Sequence, residues 1–171
     1  MTQDFLKMGK SFQISTEKCD ETALDCSKQD FGPGEVIVLS WWLSTEVTAG
    51  LEVVDISGNP ISGAGKKYSN STAWDKDIDA DLVGVTALAK ELPGSRIKVL
   101  ILSECGLGPK SIDATIDDPW HQGASTLGTA GVEALDLSNN PFDPGDLEAP
   151  ANMKISVDGC AIPESQGFDD Y

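Results

Sequence analysis

The sequence predicts an α/β fold, with a short curved parallel sheet and with helices and irregular insertions on its convex side. One pattern, apolar-x-x-apolar-x-apolar-x-x-Asn/Cys-x-apolar, recurs along the chain and is clearest at 51–61, 97–107 and 132–142. Residues 82–92 carry apolar side chains at helical spacing and stop at Pro93-Gly94. Repeated short strands separated by helical segments favour a parallel sheet.

The alternating apolar residues of each copy predict a strand with one buried face. Val54 and Ile56, for example, fall on the same side of a short strand. A single strand of this kind cannot bury that face alone, but copies stacked side by side form a continuous core. Weaker copies occupy 22–36 and 153–162, so the predicted sheet has five strands.

The Asn/Cys position of the pattern predicts a hydrogen-bonding ladder where the chain turns away from each strand. Backbone N–H and C=O groups in such turns need partners. An asparagine amide supplies donors and an acceptor, and a cysteine thiol supplies one weak donor. The predicted ladder residues are Gln29, Asn59, Cys105, Asn140 and Cys160, of which Gln29 departs from the pattern.

These features resemble the leucine-rich repeat. Asn59-Pro-Ile61-Ser-Gly-Ala-Gly65 and the Leu/Ala-rich segment 85–92 resemble its ribonuclease-inhibitor-like, intracellular subclass. The resemblance implies a solenoid and a convex helix at 35–43, although the β-branched composition there would otherwise indicate a buried strand. It also implies a binding surface, usually for another protein. The expected organisation is an N-terminal cap (1–20), a repeat domain (21–162) and an acidic C-terminal tail (163–171).

Composition and cysteine usage agree with a single intracellular, cytoplasmic domain. The chain has 171 residues, is 40% hydrophobic, and contains no apolar run long enough for a membrane span. Its first residues lack the pattern of a secretory signal. Cys26 has an inward strand position and two other cysteines are in the ladder, so we expect free thiols. A Cys19–Cys26 disulfide stays open as an alternative.

The charge balance narrows the class of partner. The chain has 28 acidic and 12 basic residues, giving a formal net charge of −16. Nucleic acid is disfavoured as the main partner because phosphate binding needs clustered Lys and Arg. A basic protein surface is the natural complement. Solubility alone would nevertheless explain most of the acidic residues.

Side chains that point outward from the predicted strands are the candidate binding residues. Asp25, Asp55 and Asp136 share one column, which Ile101 interrupts. A basic partner segment would explain this column, and so would a local preference beside the turn. The predicted partner-binding residues are Asp25, Glu52, Asp55, Ile101, Trp120, Glu133 and Asp136. Trp120 either anchors the partner or folds back over the helix layer.

The first of two insertions, near 66–81, gives the alternative function, a calcium-regulated binding module. Its aspartates Asp75, Asp77, Asp79 and Asp81 superficially resemble an EF-hand loop. Ala80 and Thr86, however, occupy positions where that loop needs Gly and Glu. The competing interpretation is a solvated loop whose last aspartates cap the helix that begins near Leu82.

The second insertion, near 109–125, contains the only histidine, His121, together with Asp117 and Asp118. No further His or Cys supplies metal-ligand spacing, so we predict no metal site there. No catalytic motif occurs elsewhere, and we expect neither an enzyme nor a cofactor. The expected function is a scaffold or a subunit of a multi-subunit complex. We expect a partner to cover the C-terminal end of the sheet, and the alternative is that the chain is part of a longer protein.

Overall fold

Five short strands form one parallel sheet in the computed structural model, which describes residues 21–66, 74–115, 131–147 and 153–163. Its strands are β1 (Ala23–Asp25), β2 (Val53–Asp55), β5 (Val99–Ile101), β6 (Ala134–Asp136) and β7 (Lys154–Ser156), while β3 and β4 belong to the first insertion. The sheet order is β1-β2-β5-β6-β7, so the strands lie side by side in chain order. The predicted α/β class and parallel sheet are confirmed.

The central residue of each strand points into the core. Leu24, Val54, Leu100, Leu135 and Ile155 pair across neighbouring strands in one row. The first four are buried, whereas Ile155 on the edge strand is half-buried. Apolar residues before and after the strands join the same core, including Leu51, Ile56, Ile97, Leu102, Val132 and Leu137. The predicted inward alternation therefore holds along the sheet.

Three helices share this core with the sheet: α1 (Pro33–Leu43), α2 (Val83–Glu91) and α3 (Pro109–Thr115). Gly32 is the N-cap of α1 and donates its N–H to Glu35 Oε2 at 3.0 Å, and proline occupies the first helical position. The helix predicted over 35–43 is thereby confirmed. Burial of its inner face outweighs the strand preference of its β-branched residues.

Helix α1 is apolar on both its inner and its outer side. Val36, Leu39 and Trp42 are buried, but Ile37 and Trp41 are 42% and 58% exposed. Against α2 the packing is close, because a Cβ on Gly84 would lie 2.7 Å from the Pro33 carbonyl oxygen. Only a residue without a side chain lets the two backbones approach this far.

Both insertions contain secondary structure that the sequence pattern does not predict. In the first, β3 (Gly65–Lys66) and β4 (Trp74–Lys76) pair as a two-stranded antiparallel sheet where a solvated loop was expected. Trp74 is buried, and Lys66 Nζ lies 4.9 Å from its ring centroid. The second insertion begins with α3. Several predictions fall on residues outside the described ranges: the cap over 1–20, Cys19, Asp117, Asp118, Trp120, His121 and the tail after Pro163.

Candidate functional site

The outward face of the sheet carries two rows of side chains that cross all five strands. The first row is Ala23, Val53, Val99, Ala134 and Lys154. The second row is Asp25, Asp55, Ile101, Asp136 and Ser156. Neighbouring strands are about 4.8 Å apart, so each side chain is adjacent to the next one in its row. The structure thus brings the predicted aspartates together, with Ile101 between the second and the third.

A third group of charged residues borders the first row. Glu52, Lys98 and Glu133 are exposed just before the strands β2, β5 and β6. Lys98 Nζ donates to Glu52 Oε1 at 2.7 Å. This hydrogen bond, the charge of Glu52 and the more distant Glu133 raise the pKa of Lys98. An exposed pair of this kind contributes little stability, but it leaves this border of the face predominantly acidic.

Each aspartate of the second row has a local structural role. Asp25, Asp55 and Asp136 accept a hydrogen bond on Oδ1 from the backbone N–H two residues later, at 2.9, 2.8 and 2.9 Å. The donor is a serine in all three cases, and its bond lowers the pKa of Asp25. This role agrees with the local preference beside the turn, which was one of the two explanations given for the column. The recurring Asp-x-Ser sequence was the available signal.

The turn itself requires an oxygen acceptor and does not require a charge. Asparagine has the same carbonyl acceptor and suits such turns equally well. The negative charge at three positions of one row is consequently a separate property of the face. This charge can attract a partner while the hydrogen bonds of the turns stay unchanged.

Asn59 joins the first two repeats. Its Oδ1 accepts from the N–H groups of Gln29 and Phe31, both at 2.9 Å. Its Nδ2 donates to the carbonyl oxygens of Cys26 at 2.9 Å and Ile56 at 2.6 Å. The side chain is fully buried, so these bonds satisfy backbone groups that water cannot reach.

Asn140 repeats this arrangement between the third and fourth repeats. Its Oδ1 accepts from the N–H groups of Cys105 and Leu107, both at 3.0 Å. Its Nδ2 donates to the carbonyl oxygens of Leu102 and Leu137, both at 2.8 Å. The two asparagines thus make the same four bonds at equivalent positions.

The remaining ladder positions make fewer contacts between repeats. Cys105 Sγ donates to the Ile56 carbonyl at 3.3 Å, and Cys160 Sγ donates to the Leu137 carbonyl at 3.1 Å. Gln29 instead donates within its own turn, to the Ser27 carbonyl at 3.1 Å. Cys105 is buried, whereas Cys160 and Gln29 are half-buried. A fully buried ladder therefore describes the three central positions and not its two ends.

The described cysteines are all free thiols. Burial raises the pKa of Cys26 and of Cys105 to about 12, and it also raises the pKa of Cys160. A thiol with a raised pKa is a poor nucleophile, because the thiolate is the reactive form. These cysteines are accordingly packing and hydrogen-bonding groups.

A residue with left-handed backbone conformation precedes every ladder position, a feature that was not predicted from the sequence. The five residues and their φ angles are Lys28 (54°), Gly58 (71°), Glu104 (54°), Asn139 (59°) and Gly159 (72°). Glycine and asparagine tolerate this conformation, whereas Lys and Glu are strained in it. The glycines and the asparagine at a shared phase were the available signal.

The aspartates of the first insertion hold helix ends. Asp79 Oδ1 accepts from the N–H groups of Gly108 and Ser111 and from the Ser111 hydroxyl, while its Oδ2 accepts from Lys110 N at 2.9 Å. This carboxylate therefore caps α3. Asp81 Oδ1 accepts from Val83 N at 3.0 Å at the start of α2, in agreement with the competing interpretation.

Asp75 and Asp77 are the remaining aspartates of the apparent calcium loop. Asp77 is exposed, and the Asp75 side chain lies outside the described part of the chain. In that part, no group of three or more His, Cys, Asp or Glu side chains could hold a metal ion. The structural role of Asp79 and Asp81 is therefore at helix N-termini.

None of the helices in the described ranges combines the length and the apolar content that crossing a bilayer requires. No protein-family model matches this sequence, and no curated protein matches it.

Proposed function

We propose that the chain is a leucine-rich repeat solenoid that binds another protein through the outward face of its sheet. The order of the strands along the chain, their common register and the equivalent bonds of the two asparagines support the solenoid. Each unit contributes one strand and one turn to a surface that extends across its neighbours.

The observation that carries the binding proposal is the charge of this face. Asp25, Asp55 and Asp136 stand in one row, and Glu52 and Glu133 stand beyond the other. Glu52 is already paired with Lys98, but Glu133 is exposed, and the turns need only an uncharged acceptor from the three aspartates. The carboxylates of these four residues are therefore available for a partner. The complementary partner is a protein with a basic surface, attracted by long-range electrostatics and held in register by the row.

The free thiols and the acidic surface suit an intracellular subunit of a larger assembly. A calcium-regulated module has less support, because Asp79 and Asp81 already accept bonds from helix N-termini. Isothermal titration with calcium distinguishes the two functions. We expect no heat of binding at concentrations where calcium-regulated modules respond.

The proposal is tested by affinity capture from the native source with three forms of the chain. Asp55→Asn with Asp136→Asn removes two charges from the face and keeps both turn acceptors. Asp77→Asn with Asp113→Asn removes two exposed charges elsewhere and is the matched control. We expect a partner that the wild type and the control retain, that the face variant loses, and whose binding weakens with salt. Equal capture by both variants would refute the face as the site.

A further inference from the structure

Ile101 occupies the position at which three of the other strands have an aspartate. Asp25, Asp55 and Asp136 each accept a bond from the serine N–H two residues later. Ser103 occupies the same place after Ile101, but an aliphatic side chain cannot accept that bond. The third repeat therefore lacks this side-chain hydrogen bond and has an apolar side chain on the outward face instead.

Ile101 is part of a small aliphatic patch. Val99 lies two residues earlier on the same strand and therefore on the same face, and Val53 pairs with Val99 from β2. All three side chains are only half-buried. We call Val53, Val99 and Ile101 the aliphatic patch.

Carboxylates stand on both sides of this patch. Asp55 and Asp136 pair in register with Ile101, one from each neighbouring strand. Two strand spacings separate these aspartates, which is about 10 Å. Lys98 lies nearby, but its ammonium group is already bonded to Glu52. Within the described ranges, neither Asp55 nor Asp136 forms an ion pair, so the patch is an apolar centre between two acids that have no cation partner there.

We infer that the aliphatic patch receives one apolar side chain of the partner, and that Lys or Arg residues flank this side chain in the partner's sequence. This inference rests on the proposed function and specifies the chemistry of the bound segment. A leucine-like side chain would cover the patch while the flanking cations reach Asp55 and Asp136. A second copy of this chain is a poor occupant, because two molecules of net charge −16 repel each other.

Two synthetic peptides of equal length and charge test the inference. One carries a single leucine between lysines, and the other carries serine in place of that leucine. Binding is measured by fluorescence anisotropy at physiological salt, and methyl NMR of Ile and Val residues locates the bound peptide. We expect the leucine peptide to bind the wild type about tenfold more tightly, as partial burial of one leucine allows. Its shifts should centre on Val53, Val99 and Ile101, and not on the exposed Ile37 of α1.

Ile101→Asp restores the repeat's own sequence, so its turn can form the bond seen in the other three strands. We expect the leucine-to-serine affinity ratio to fall to about one in this variant, with an unchanged circular dichroism spectrum. Ile101→Thr keeps the β-branched shape and serves as the second variant if the added charge disturbs folding. The change Asp55→Asn with Asp136→Asn should weaken both peptides alike and preserve the ratio.

The outcomes separate the two proposals. If both peptides shift sheet-face methyls but bind the wild type equally, the aliphatic patch has no role and the acidic face still stands. If neither peptide shifts these methyls, the face itself fails as a binding site. A ratio that survives Ile101→Asp and Ile101→Thr would also overturn the inference.

Discussion

Replacing Asn140 with alanine removes four hydrogen bonds from the interior of the molecule. The Cys105 and Leu107 N–H groups lose their acceptor, and the Leu102 and Leu137 carbonyls lose a donor. A buried polar group left without its partner costs about 1–3 kcal/mol. The two N–H groups alone therefore cost about 2–6 kcal/mol, a large part of the about 5–15 kcal/mol that stabilises a typical domain.

The assay is denaturant unfolding combined with amide hydrogen exchange. We expect a lower midpoint, and faster exchange at Cys105 and Leu107 than at the amides bound by Asn59. Asn140→Cys is the graded control, because Cys105 occupies the equivalent position of its repeat with one weak donor and no side-chain oxygen. It should lie between wild type and alanine. A loss under about 0.5 kcal/mol with unchanged exchange would show that water satisfies these groups.

Three further changes are predicted to alter stability. Glu104→Gly removes a side chain from a left-handed residue and should stabilise by about 0.5–1 kcal/mol in thermal unfolding, whereas Glu104→Ala should give no such gain. Gly84→Ala forces a Cβ against the backbone of α1 and should destabilise the protein by about 1–3 kcal/mol. Gly34→Ala is the control, because a Cβ at Gly34 would have no atom within 4 Å, and it should be neutral or slightly stabilising. Equal effects of the two changes would contradict the close helix contact. Because burial raises the pKa of Cys26 and Cys105 from 9.0 to about 12, their thiols ionise first in the unfolded state. The free energy of unfolding should therefore fall between about pH 9 and 12, by up to about 1.4 kcal/mol per thiol and pH unit, and replacing both with alanine should flatten the slope.

The strand positions were predictable because the alternation of inward and outward side chains depends only on adjacent residues. Alternation over three residues places Val54 or Leu135 inward whatever the rest of the chain does. Helix α2 was predictable for the same reason. Helix α1 was not readable from its own residues, since an apolar, β-branched segment fits a buried strand equally well, and only the repeat frame decided between them.

The features that escaped prediction depend on contacts between distant residues. Helix α3 has Ile112 as its only aliphatic residue larger than alanine, and the carboxylate that caps its start belongs to Asp79, far earlier in the chain. The same aspartate, seen in sequence, belonged to an apparent ion-binding run. For the aspartates of the outward face, the sequence left open both a partner contact and a local preference beside the turn, and their bonds to serine N–H groups required knowledge of the turn geometry. Trp120 stays a prediction outside the described residues.

The ladder side chains differ in the number of hydrogen bonds that they make between neighbouring repeats. Asn59 connects the second repeat to the first with three hydrogen bonds, and Asn140 connects the fourth to the third in the same way. At the ladder positions of the other two junctions, one thiol bond from Cys105 or from Cys160 takes the place of these three bonds. The junction at Cys105 also has the bonds that Asp79 accepts from the start of α3, whereas the junction at Cys160 leads to the half-buried edge strand β7. Under a force applied at the C-terminal end, the last repeat should therefore detach first, before the four repeats that precede it. The chain would unfold from that end, and not in five equal steps.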